Sequence, residues 1–307
     1  SMYPASTTKL MTAYLTLTHA ALDDIVAYSS KAVLSLEPGS SHIGLRVGES
    51  LTVEDSLYGL LLPSANEVAN GLAEHVSGSI SAFAELMNET AADLGCVNTH
   101  FANANGLQDP NHMTCAYDLY RIMDACIRLP DFVRIASSKA YVRPADSLLD
   151  KEIPMRTTNQ FLRTDSEYYD STVICGKTGW TEEAGRCLVT YAKRGDMNLI
   201  CVVMNSEAPN QYLDTEALLN YAERNFRSAV PYEQDPVMKA DGLKSDTPLG
   251  LPESTISLME LDASARIILP DSLSFSDLTR SVSTDESGNR TITYKRNGYP
   301  LGSVSLI

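Results

Sequence analysis

The chain has 307 residues, 44% of them hydrophobic, and carries a formal net charge of -15 at a sequence pI near 4.7. That length and apolar content can bury one large core and a second, smaller one. The acidic balance repels a phosphate backbone, which argues against nucleic acid as a partner, and no stretch approaches the roughly 20 apolar residues that a membrane-spanning helix needs.

In chain order, Pro4 introduces residues 5–15, which lack internal Gly or Pro and are apolar on most of a helical circumference, so a buried helix is expected there. Ser6 and Lys9 are three apart and share one face of it, which lets the lysine amine approach the serine hydroxyl. Thr52 followed by Asp55 resembles a capping box, and Leu57, Leu60, Leu61 and Leu62 then form a buried helix that Pro63 ends. Ser64-Ala65-Asn66 falls in the connection before a helical run over residues 67–75. Phe83, Leu86, Met87 and Leu94 repeat the helical period over residues 81–94, and residues 117–127 do so again after a loop rich in Asn and Gly.

After Pro130 the pattern changes. Residues 172–179 read as a strand, and 186–192 with 197–204 read as a hairpin around Arg194-Gly195-Asp196. A closing helix is expected over 215–226, so helices surround a mostly antiparallel sheet. Residues 228–236 read as a linker. Beyond it, 256–260, 265–269, 290–294 and 303–307 look like short strands of a small all-β domain. The predicted division is therefore a first domain over 1–229 and a second over 236–307.

Three short motifs carry the chemistry. Ser6-Thr7-Thr8-Lys9 and Ser64-Ala65-Asn66 are each expected about once or twice by chance in such a composition, but Lys177-Thr178-Gly179 is expected only about 0.04 times. Ser287-Gly288-Asn289 also reads Ser-x-Asn, yet it follows the Lys-Thr-Gly and lies between strand-like runs, where a hairpin turn accounts for it.

A serine hydroxyl is a weak nucleophile and needs a base. Lys9 can serve when neutral, and burial beside Lys177 would push its amine toward that form. Ser6 at the first turn of a helix would direct positive dipole and free amides toward a developing oxyanion, with the Trp180 amide as second donor. Ser64 could pass a proton to a leaving amine, Asn66 could bind a substrate amide, and Thr178 with Lys177 could hold a terminal carboxylate. Gly179 would let a substrate backbone lie close to its strand.

Residues 4–12, 60–66, 101–107 and 176–181, read together, resemble the D-alanyl-D-alanine carboxypeptidases, low-molecular-mass penicillin-binding proteins of peptidase family S11. The similarity runs through most of residues 3–227. It implies a β-lactamase/transpeptidase-like α/β (α+β) domain, exported to the cell envelope, that trims the terminal D-alanine from peptidoglycan stem peptides through an acyl-serine and is acylated by β-lactams. It implies catalytic Ser6, Lys9, Ser64 and Lys177, substrate contacts from Asn66, Thr178, Gly179 and Trp180, and neither metal nor cofactor. It also implies a β-rich spacer, often followed by a membrane anchor; no such tail follows Ile307. Members of the family usually carry a few dozen residues that supply strands before the nucleophile. Five precede Ser6 here, which leaves a sheet edge without them, and the opening Ser1-Met2-Tyr3-Pro4 shows no basic and apolar leader.

Other readings are weighed against this one. A class A β-lactamase needs a Glu-x-x-Leu-Asn loop, and Glu85-Leu86-Met87-Asn88 is the nearest approach, without the spacing. A D,D-endopeptidase uses the same residues, and a non-catalytic envelope scaffold would retain only the fold. No Gly-x-Ser-x-Gly or His-Glu-x-x-His occurs, which disfavours other hydrolases. The six cysteines show no Cys-x-x-Cys and are expected to be buried free thiols.

Overall fold

The computed structural model describes residues 1–236, 264–285 and 287–306. The chain forms two compact units, one of Ser1–Lys193 with Asn198–Leu219, the other of Arg194–Met197 with Asn220–Ile307.

The first unit is built around α1 (Lys9–His19), whose Leu10, Met11, Ala13 and Leu15 are wholly buried. A helix that is apolar on most sides belongs inside a core, and α1 packs against α3 (Val53–Leu61), α4 (Asn66–Ser77), α6 (Ala116–Ile127) and α7 (Pro130–Ala136). Two further helices, α2 (Ser30–Leu34) and α5 (Ile80–Asp93), pack on α4.

The predicted helix over 5–15 is divided. Ala5–Thr8 is a 3-10 turn and the α-helix begins only at Lys9. Ala5 has φ 48, in the left-handed region that an α-helix cannot accommodate. The Thr52 hydroxyl caps α3 by accepting from the Asp55 amide at 3.0 Å, but the expected capping box is only half formed. Asp55 turns its carboxylate instead to the Tyr141 hydroxyl (2.6 Å) and the buried Arg143 (3.6 Å), stronger partners than a solvated backbone amide.

Two small antiparallel ribbons, β1 (Ile25–Ala27) with β2 (Ser50–Thr52) and β3 (Ala140–Arg143) with β4 (Ile153–Arg156), accompany the helices. The main sheet has the order β5 (Val173–Thr181), β6 (Gly185–Arg194), β7 (Met197–Ser206), and helix α8 (Asn210–Asn225) follows. Strands β5 and β6 pair antiparallel, and β6 and β7 are joined by two residues, a connection that antiparallel neighbours alone permit. The six cysteines are free, five of them buried.

In the second unit β8 (Phe226–Ala229) pairs with β9 (Ile267–Pro270), and β10 (Thr279–Thr284), β11 (Arg290–Arg296) and β12 (Tyr299–Leu306) form an antiparallel meander. Ile267, Leu269, Phe275, Ile292, Tyr294 and Val304 fill its core. Residues 228–236 are thus no free linker: Ser228 and Ala229 pair with β9, Pro231–Gln234 makes a helical turn, and the wholly buried Asp235 meets Arg280 at 2.7 and 2.6 Å. Ser287-Gly288-Asn289 lies in the turn between β10 and β11, with Gly288 at φ 85. The strand expected over 256–260 falls outside the described residues.

Candidate active site

Ser6 stands in the 3-10 turn, where the Thr7 hydroxyl donates to the Pro4 carbonyl at 2.7 Å. One turn later, wholly buried Lys9 places Nζ 2.9 Å from Ser6 Oγ, 2.7 Å from Asn66 Oδ1 and 2.7 Å from the Asn105 carbonyl. Burial, reinforced by the charge of Lys177, holds its pKa well below that of a free lysine, while Glu67 opposes the shift. A neutral amine has two N–H bonds. With both given to Asn66 and Asn105, its lone pair is left toward Ser6 Oγ, the orientation a general base requires.

Ser64 has φ 68, unusual for a residue with a side chain, and its buried hydroxyl has no hydrogen-bond partner. An unsatisfied polar group on strained backbone is the mark of a site organised for something other than stability. Its hydroxyl bonds to neither lysine. Asn66 opens α4 and spends its oxygen on Lys9, so its amide nitrogen is the end left for another partner.

The Lys-Thr-Gly triplet lies on β5 as expected. Lys177 is 1% exposed, donates to the Thr178 carbonyl at 3.0 Å, and has its pKa pushed down by burial to about 7. Thr178 Oγ1 is 2.6 Å from Thr158 Oγ1. A Cβ on Gly179 would stand 3.0 Å from the Pro4 carbonyl oxygen and from the amide nitrogens of Ser6 and Thr7. The space this glycine saves therefore admits the turn bearing Ser6, rather than a ligand backbone alone. Trp180 is exposed, with the Arg186 guanidinium carbon 5.1 Å from its ring centroid.

Two cavities meet at Ser6. One of about 330 Å³ includes Ser6, Ser64, Thr158, Thr178, Gly179 and Arg186 in its wall. The other, about 480 Å³, includes Ser6, Ser41, Asn66, Gly106, Trp180 and Glu183. Ser6, Ser41 and Trp180 belong to both, so the three motifs converge on one cleft. Lys9 and Lys177 are the exceptions among the predicted residues, since both are buried beneath the wall and line neither cavity.

Several supporting residues escaped the sequence reading. Asn103 Oδ1 accepts from the Gly106 amide at 2.7 Å and shapes the loop that presents the Asn105 carbonyl to Lys9. His112 Nδ1 accepts from the Ala102 amide at 2.9 Å, so its proton sits on Nε2, which donates to Thr8 Oγ1 at 2.7 Å. Burial pushes this imidazole down to about 4, which keeps it neutral in that role. The buried Glu67 accepts from the amides of Ile43 (2.7 Å) and Gly44 (3.1 Å), while the Ser41 carbonyl receives the Asn66 amide at 2.8 Å, so the loop before β2 is tied to α4. The Asn-rich stretch 103–105 was the one signal for these parts; the rest act through backbone groups and tertiary contact. Among the described residues no three His, Cys, Asp or Glu side chains could hold a metal ion.

Residues 1–208 match the profile of the peptidase S11 family, D-alanyl-D-alanine carboxypeptidase. D-alanyl-D-alanine carboxypeptidase DacF of Bacillus subtilis is 33% identical over 238 residues, 76% of this chain and 59% of that protein. DacC of Escherichia coli is 31% identical over 265 residues, 82% of this chain and 64% of that one. The chain thus spans about three fifths of the length of these curated relatives. Among solved structures, the Streptomyces K15 DD-transpeptidase superposes with a TM-score of 0.65 at 30% identity, covering 72% of this chain and 87% of its own. Penicillin binding protein 6B from Escherichia coli reaches 0.69 at 25% identity, covering 99% and 86%.

Proposed function

The chain belongs to the D-alanyl-D-alanine carboxypeptidase family of peptidases, and from that premise we propose that it removes the terminal D-alanine from peptidoglycan stem pentapeptides by way of an acyl-serine. The observation that carries the reading is the Lys9 amine, depressed by burial, fixed by Asn66 and Asn105 and 2.9 Å from Ser6 Oγ. Lys9 takes the Ser6 proton as the oxygen attacks the carbonyl between the two D-alanines. The amides of Ser6 and Trp180 receive the negative charge that develops. The C–N bond then breaks as Ser64 relays the proton held by Lys9 to the departing amine, leaving Lys9 neutral again. Lys9 next takes a proton from the water that attacks the acyl carbon and returns it to Ser6 Oγ as the ester bond breaks and the shortened peptide leaves.

In this reading Asn66 offers its amide nitrogen to the peptide, Thr178 binds at the C-terminal end, Gly179 lets β5 approach the nucleophile, and burial, with the charge of Lys177 adding to it, keeps Lys9 neutral. The same cleft is acylated by β-lactams, whose strained ring presents an equivalent carbonyl. The place of action is the cell envelope, where the substrate is found. Incubation with diacetyl-Lys-D-Ala-D-Ala is expected to release D-alanine, with Ser6→Ala releasing none. Equal release by both proteins, or none by the wild type, contradicts the proposal.

A further inference from the structure

The 330 Å³ cavity beside Ser6 has a charged wall that the three motifs do not account for. Lys177, the cation expected at its C-terminal end, lies beneath the surface and spends its amine on the Thr178 carbonyl. Arg186 stands in the wall instead. The β5–β6 register puts it directly across from Trp180, whose ring it covers at 5.1 Å, and its guanidinium pairs with no carboxylate among the described residues. Its charge also reaches Tyr212, another part of the same wall. An unpaired guanidinium on a concave surface is what a site shows before its ligand supplies the partner.

We propose that Arg186 is a specificity-determining residue, the cation that receives the C-terminal carboxylate of the substrate. The inference rests on the function proposed above and adds to it the residue that makes the enzyme a carboxypeptidase rather than an internal peptidase. A guanidinium suits the task better than a buried ammonium: it stays charged across the working pH range and offers two parallel N–H donors to a carboxylate. Stacking on Trp180 pre-orders the side chain, which lowers the entropic cost of the contact. The hydroxyls of Thr158 and Thr178, 2.6 Å apart on the same wall, can turn a further donor toward the same anion.

The test compares diacetyl-Lys-D-Ala-D-Ala with its C-terminal amide, using wild type, Arg186→Gln and Arg186→Lys, with thermal melting measured for each. A charge-assisted hydrogen bond of the usual strength corresponds to a preference of about 10- to 100-fold. Wild type is expected to prefer the acid. Arg186→Gln should lose that preference by about the same factor, through KM rather than kcat, and Arg186→Lys should recover part of it. If the glutamine variant melts below the assay temperature, Arg186→Lys alone decides, with a partial loss of preference expected and an unchanged one overturning the inference. An equal fall on acid and amide would mean that Arg186 merely packs on Trp180, and no change in either would also refute the proposal. A wild type that releases neither D-alanine from the acid nor D-alaninamide from the amide defeats the broader function instead, a result distinct from both.

Discussion

Gly106→Ala should disturb Ser6, the proposed nucleophile, from a position outside the three short motifs. Gly106 has φ 86, and a Cβ placed on it would stand 1.9 Å from the Ala5 carbonyl oxygen and 2.9 Å from Thr8 Oγ1. Left-handed backbone costs an alanine about 1 kcal/mol, and the Ala5 carbonyl must retreat by more than about 1 Å to restore ordinary contact, adding roughly 1–2 kcal/mol of backbone adjustment. In a unit of this size that is a fall in Tm of about 5–10 °C. Ser6 follows Ala5 directly, and a displacement of about 1 Å at a reacting group costs on the order of 100-fold in rate. The assay is the rate of acylation by fluorescent penicillin at a temperature where both proteins remain folded. The reasoning fails if the variant melts lower yet acylates at the wild-type rate, because the close approach would then stabilise the fold without positioning Ser6.

Lys177→Met removes a buried ammonium whose folded pKa is near 7, against about 10.4 in an unfolded chain. Below pH 7 both states of the wild type are protonated and the folded one bears the full burial cost. Between pH 7 and 10 the folded state sheds its proton first, so the wild type gains on the variant by roughly 4 kcal/mol over that window. Thermal melts of the two proteins across pH 6–10 check this, and a gap that does not vary with pH contradicts it. In the second unit, Arg280→Ala leaves the buried Asp235 carboxylate without its two guanidinium bonds. Denaturant unfolding should show a loss of about 3–5 kcal/mol, whereas a loss below 1 kcal/mol would mean that Tyr294, 3.0 Å from the same carboxylate, suffices.

What the sequence made legible follows from the range of the forces involved. Helices α3 to α6 and the β5–β6–β7 hairpins were read within a few residues because their apolar periods are long and local. The break at Ala5 was not, since it depends on a turn clasped between Gly106 and Gly179, segments about a hundred residues or more away. Asp55 departed from its capping role because Tyr141 and Arg143, invisible in a local window, bind it better. The apparent linker looked soluble because its one buried charge, Asp235, finds its partner 45 residues on. Within the site, the motifs brought Ser6, Ser64, Asn66, Thr178 and Trp180 to one cleft. The Asn105 carbonyl that holds Lys9 is a backbone group with no side-chain signature. Arg186 became visible only through the strand register that sets it across from Trp180.

Ser6 Oγ is the atom that the proposed lysine-activated attack joins to an acyl group. Intact-mass analysis after incubation with benzylpenicillin, followed by peptide mapping, measures this directly. One adduct is expected per chain, on the peptide that carries Ser6, and it should be absent from Ser6→Ala and greatly reduced in Lys9→Ala. An adduct on any other residue, or full labelling of Lys9→Ala, would contradict the account.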